Sequence, residues 1–196
     1  MKISSHQDFK KEEIQIFKYN ECIYNIKCKN SSFFIEPKIV FNNCSYLITN
    51  NLHKIRINID LKNVDHQKFK LLINKIYNAV SDCIENEEDI SIFNIMNPIN
   101  PSLKLDKIGV FYLIINKNTE FYEYGTNILI NEETLKNKRF DFYPLINTPS
   151  INIKGETAYI NFSIKKAYLI FTSEYIEKID TDIDEMDLNN AFNKNK

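Results

Sequence analysis

The stretch 148–171 sets the tightest limit on what this chain can fold into. Pro149 has no N–H to give to a ladder, so a strand begins just after it. The chain turns at Lys154-Gly155, because glycine alone takes positive φ without a Cβ clash. Beyond the turn, Ala158, Ile160, Phe162 and Ile164 share one face, and Thr157, Tyr159, Asn161, Ser163 and Lys165 share the other. A period of two is the mark of a half-buried strand. Its polar face carries hydroxyls, a ring and a lysine, and Lys165-Lys166 set two charges side by side at the far end. Such a face can hold a polyanion.

A second alternating run spans 54–62, with Ile55, Ile57, Ile59 and Leu61 on one side and Lys54, Arg56, Asn58, Asp60 and Lys62 on the other. The polar side reads either as solvated surface or as a face that meets nucleic acid. Asp65 is expected to cap the following helix, its carboxylate accepting from first-turn amides. Phe69, Leu72, Ile73, Ile76, Tyr77 and Val80 then recur at intervals of three and four, an apolar stripe for core packing. Upstream, 14–17 and 22–27 predict short strands, and 38–41 with 45–48 a hairpin about Asn42-Asn43. Downstream, 90–96 reads as a second short helix, broken by Pro98 and Pro101. The apolar run 110–115 predicts a strand buried on both faces. Residues 121–124 and 127–130 bracket Gly125 as another hairpin, and bases interleave with rings over 136–143.

With 196 residues, 43% of them hydrophobic, the chain can bury one core. The expected organisation is a flexible N-terminus at 1–13, one domain over 14–173 and a disordered acidic tail at 174–196. The net charge of −1 conceals an asymmetry: the tail holds seven acids and three lysines, leaving 22 basic against 19 acidic groups in the body. An acidic end on a basic body is the pattern of an interaction tail. The four cysteines form no C-x-x-C pair and have no histidines at zinc spacing, which fits reduced thiols. The acids of 82–89 lack the spacing and the glycine of a calcium loop. Three glycines are too few for a phosphate cradle, and no nucleophile motif is present. Neither an enzyme, a cofactor nor a metal is therefore expected. With no apolar leader and no run of eighteen apolar residues, no membrane contact is expected either.

Single-strand binding asks for flat rings under the bases and cations along the phosphates, on a rigid sheet such as that of an OB-fold. The residues able to supply these are Lys54, Arg56, Lys62, Lys138, Arg139, Phe140, Phe142, Tyr143, Lys154, Tyr159, Lys165 and Lys166. Each ring also reads as core, Phe140 and Phe142 above all. Tyr159, on the polar side of its strand, is the best placed to face out.

Thr148-Pro149, Gly155-Glu156-Thr157, Phe162, Ile164, Lys165 and Lys166 resemble the closing hairpin of the poxvirus single-stranded-DNA-binding proteins, in an entomopoxvirus-like chain rich in Lys, Asn and Ile. The strand 54–62 and the helix after it, with Leu71-Leu72 and Ile76-Tyr77, look like the same family's central strand and helix. The likeness runs over roughly 20–173 in the order of elements, and on into the acidic end. The chain departs in being shorter between helix and closing hairpin, and in ending Asn-Lys-Asn-Lys. The resemblance implies a mainly β (α+β) fold, an OB-fold-like small β-barrel with one packed helix and an acidic C-terminal tail. It implies a non-enzymatic coat for single-stranded DNA in viral replication, recombination and repair, in the host cytoplasm. No DNA contact is carried over from the family, so the twelve residues above rest on their chemistry alone. In the tail, Glu177, Asp180, Asp182, Asp184, Glu185, Asp187 and Phe192 are expected to engage viral replication proteins or to compete for the DNA face. Further copies of the chain are expected alongside on DNA. The competing expectation is a β-rich viral protein-interaction factor that docks through its tail.

Overall fold

The computed structural model describes residues 2–5, 7–86, 94–101 and 108–171. In chain order its elements are β1 (Lys2–Ile3), β2 (Ile14–Lys18), β3 (Ile23–Cys28), β4 (Phe34–Ile35), β5 (Phe41–Thr49), β6 (Leu52–Asp60) and α1 (Val64–Glu85). After these come β7 (Asn94–Met96), β8 (Ile99–Pro101), β9 (Ile108–Ile114), β10 (Glu120–Glu123), β11 (Leu129–Ile130) and β12 (Arg139–Asn147). The last three are β13 (Ser150–Lys154), β14 (Thr157–Asn161) and β15 (Ile164–Phe171). The fold is mainly β with one α-helix among the described residues.

Two sheets result. The larger runs β11-β10-β15-β12-β5-β6-β9-β8, with β4 also on β12 and β1 on β4; the smaller runs β2-β3-β13-β14-β7. Within the larger sheet β5, β6, β9, β15 and β12 trace a five-strand circuit of the OB kind. The mainly β, OB-like fold with one packed helix is as expected, and the circuit is not paired all the way round. At the β9–β15 seam the described residues make a single bridge, Ile114 to Ser163, with the Ile114 amide donating to the Phe162 carbonyl at 2.8 Å. From Lys166 onward that edge of β15 is taken instead by β10, in parallel.

Local chemistry accounts for the turns. Asn50 and Asn51 both have positive φ, the pairing that a two-residue hairpin needs between Thr49 and Leu52. The hairpin expected about Asn42-Asn43 is absent: β5 runs straight through, and Asn43, at φ 53°, marks a bulge against β12. Gly155 has φ +56° at the β13–β14 turn, as expected. The cap of α1 is Asn63, whose side chain accepts from the amides of Asp65 and His66; Asp65 lies inside the first turn and pairs with Lys68. Residues 94–96 form a strand, not the end of a second helix, and 90–93 lie outside the described residues.

α1 lays Phe69, Leu72, Ile73, Ile76 and Val80 onto the sheet. An edge-to-face chain of rings threads the core: Phe41 to Phe69 at 5.0 Å, Phe69 to Phe111 at 5.4 Å and Phe111 to Phe162 at 5.2 Å. Part of the N-terminal stretch packs against the body. Ile3 pairs with Ile35 and is fully buried, and Phe9 is fully buried with its ring 6.4 Å from that of Phe33. At residues 132–135 a 3-10 turn buries Leu135, while Glu132 bonds to His53 and to the Tyr46 hydroxyl, which clamps this turn to the β5–β6 hairpin. No helix among the described residues is long and apolar enough to cross a membrane.

Candidate nucleic-acid interface

β6 alternates as its sequence demands: Ile55, Ile57 and Ile59 are buried, while Lys54, Arg56 and Asn58 lie on the outer side. Register then decides their neighbours. Arg56 lies across from Tyr112 of β9 on one side and Ser45 of β5 on the other, and Ser45 lies across from Arg139 of β12. Arg139, Ser45, Arg56 and Tyr112 therefore form one row across four strands. Lys54, two residues along β6, carries its ammonium 5.9 Å from the Tyr112 ring centre. The tip of the β13–β14 hairpin brings Lys154 close enough to repel it. Burial first, and then the charge of Lys154, push the Lys54 pKa below the ordinary lysine value. A partly desolvated lysine facing a second lysine is stabilised by an incoming anion, and the flat Tyr112 ring lies within reach of the same place.

The twelve sequence candidates do not converge on one surface. Lys54, Arg56, Arg139 and Lys154 belong to the group just described. Phe140 and Phe142 are fully buried on the inward side of β12 and cannot stack on bases. Their strand alternates strictly, and it is Arg139, Asp141 and Tyr143 that take the outward positions. Lys62 is exposed in the turn beyond the far end of β6, where Asp60 already lies about 20 Å along the strand from Lys54. Lys138 is exposed, with its ammonium 5.1 Å from the Phe171 ring. Tyr159 is half-buried in the smaller sheet, between Asn152 of β13 and Met96 of β7, on the same face of the hairpin as Lys154 and one row away from it.

Tyr143, Lys165 and Lys166 lie on another part of the larger sheet. A register shift between β12 and β15 skips Lys165, so the adjacent lysines part company. Lys165 sits 3.9 Å over Phe34, and Lys166 sits 4.2 Å and 4.9 Å over Tyr122 and Tyr168. Residues Glu177, Asp180, Asp182, Asp184, Glu185, Asp187 and Phe192 lie outside the described residues. Among the described residues no three His, Cys, Asp or Glu side chains gather as metal ligands.

Sequence reasoning missed Tyr112, Tyr122 and Tyr168. Tyr112 lay inside the apolar run 110–115, yet it is half-buried on the outer side of β9 while Phe111 and Leu113 point inward. Its hydroxyl was the available signal. For the other two, the signal was the alternation of Glu120, Tyr122 and Tyr124, and of Lys166, Tyr168 and Ile170.

No family model and no curated protein matches the sequence. Solved structures do match the fold. The single-stranded DNA binding protein gp2.5 encoded by bacteriophage T7 aligns with a TM-score of 0.53 at 11% identity, over 79% of this chain and 95% of its own. The single-stranded DNA-binding protein of bacteriophage Enc34 aligns with a TM-score of 0.53 at 10% identity, over 88% of this chain and 98% of its own. At such identities the likeness to these two phage proteins is one of fold.

Proposed function

We propose that this protein binds single-stranded DNA without sequence preference, through the outer face of β6 and β9 at the tip of the β13–β14 hairpin. One observation carries the reading: Lys54 is drawn out of water beside Lys154 and against Tyr112, with Arg56 in the next row. Cations that repel one another beside an outward ring match what unpaired nucleotides supply, which is phosphate charge and a flat base. The β5–β6 turn and the β13–β14 hairpin bound this face, as the corresponding loops bound ligand sites of OB-folds. Two structural neighbours described as single-stranded DNA binding proteins support the reading.

The proposed role is non-enzymatic: the face holds nucleotides and makes or breaks no bond. Its setting, supported by the poxvirus-like closing hairpin, is viral DNA replication, recombination and repair in the host cytoplasm. There the acidic stretch 174–187 would recruit replication proteins or compete for the DNA face. The test is an electrophoretic shift with labelled oligo-dT, challenged with duplex DNA and with RNA. A shift that resists duplex competitor and weakens with salt is expected, with a slope of about −0.7 in log K against log salt per phosphate contact. No shift, or one indifferent to salt, would overturn the proposal.

A further inference from the structure

The outer face of β12, β15, β10 and β11 carries a feature that the first site does not use. Tyr143 lies opposite Tyr168, Tyr168 opposite Tyr122, and Tyr122 opposite Leu129, so one row of side chains crosses four strands. Neighbouring strands are about 4.8 Å apart, which lays three phenol rings side by side along about 10 Å. The ring centres of Tyr122 and Tyr168 are 5.9 Å apart. Lys166, in the adjoining row, stays above both rings and bonds to the Tyr168 hydroxyl, which raises its pKa and keeps it charged. All three rings are half-buried, and Tyr124 and Leu129 at the rim are exposed. Acids face the same surface: Glu120 accepts from the Tyr122 hydroxyl, and Asp141 accepts from the Asn43 amide. The charges named on this face are two acids and one lysine, so its surplus is in rings and not in cations.

From this we infer that the Tyr143–Tyr168–Tyr122 row is a second platform for unpaired nucleotides, engaged by bases more than by phosphates. The inference rests on the single-stranded DNA reading above and extends it. β12 joins the two surfaces, since Arg139, in the row of Arg56, and Tyr143, in the tyrosine row, both point outward from it about 13 Å apart. A strand held at Lys54 and Arg56 that passes Arg139 arrives at the rings. Short oligonucleotides fill the first site alone, and longer ones reach both.

The experiment uses the full chain and two oligo-dT lengths, about 6 and about 16 nucleotides, which bracket the span of a single OB-type unit. The double substitution Tyr122→Ala with Tyr168→Ala leaves binding of the short oligonucleotide within about twofold and weakens the long one by about five- to hundredfold, as loss of one stacked base does. The salt slope for the long oligonucleotide stays unchanged, because stacking releases no counterions. Should the double variant misfold, Lys166→Glu on the solvent side of the rings gives the same length-selective loss. Photo-crosslinking of the wild type to a bromodeoxyuridine 16-mer places adducts on tyrosines of this row. The inference is overturned if the long oligonucleotide binds both variants as it binds wild type, if both lengths weaken together, or if adducts map only to β6 and β9. A change in sedimentation of the variants without a change in DNA binding would make the face a contact between copies instead. If wild type binds neither length, it is the parent reading that has failed.

Discussion

Replacing Lys54 by Gln separates binding from folding. In the native chain the Lys54 charge is disfavoured twice, by its loss of water and by Lys154. Lys54 forms no ion pair among the described residues, and removing it relieves that repulsion, so the Tm of Lys54→Gln is equal to wild type or higher. DNA binding moves the other way. With Lys54, Arg56 and Lys154 each meeting a phosphate, the slope of log K against log salt is about −2.1, an affinity loss of about eighteenfold between about 50 and 200 mM. Two contacts give a slope of about −1.4 and a loss of about sevenfold. Fluorescence anisotropy of labelled oligo-dT across that salt range reads the difference directly. The pH dependence follows the same logic. A lysine with a lowered pKa keeps its charge below that pKa and loses it as pH rises through it, so wild-type affinity declines before the ordinary lysine value of 10.5 is reached. Lys54→Gln lacks that decline. A variant with a lower Tm and an unchanged salt slope would refute the reasoning and make Lys54 a structural residue.

Two further predictions concern the scaffold. His66 is nearly buried and accepts from the Asp60 amide through Nδ1, and burial lowers its pKa against the opposing pull of Asp60 and Asp65. Its neutral form belongs to the fold, so stability is full above the unfolded value of 6.5 and is lost as pH falls through the lowered one. Urea midpoints measured between about pH 7 and pH 5 should therefore slope less in His66→Gln than in wild type. The second prediction concerns the helix cap. Asn63→Ala removes the acceptor for two first-turn amides and costs about 1 kcal/mol in urea unfolding, whereas Asp65→Ala loses only an exposed pair with Lys68, worth about 0.5 kcal/mol. The reverse order of the two would return the cap to Asp65.

Periodicity was the legible part of the sequence. The alternation of 54–60 and 157–164 and the stripe of α1 depend only on which side of an element meets the core, and each stands in the structure as its pattern implies. What could not be read were pairings between strands far apart in the chain. That Arg56 lies beside Tyr112, or Tyr143 beside Tyr168, is set by register, and nothing local to either residue encodes its partner. Asn43 shows a subtler limit. An asparagine at positive φ serves a hairpin and a bulge equally well, and only the strand on its far side, β12, decided between them. Lys165 and Lys166 read as one doubled charge; a skipped residue in the ladder sends them to separate rings.

The seam between β9 and β15 has a mechanical meaning. Separating β6 from β9 would unzip seven paired positions, whereas parting the seam gives up one rung and its neighbouring bonds. A cylinder laced around its whole girth changes bore only by straining everywhere, but one fastened at a single rung can gape there and leave its other staves undisturbed. The rung lies beside Phe162, where the closing hairpin rejoins the body, so the slack falls at the root of the arm that carries Lys154. That arm is itself laced into the smaller sheet, β13 to β3 and β14 to β7, so a gap at the seam would carry Lys154 along with the whole of that sheet.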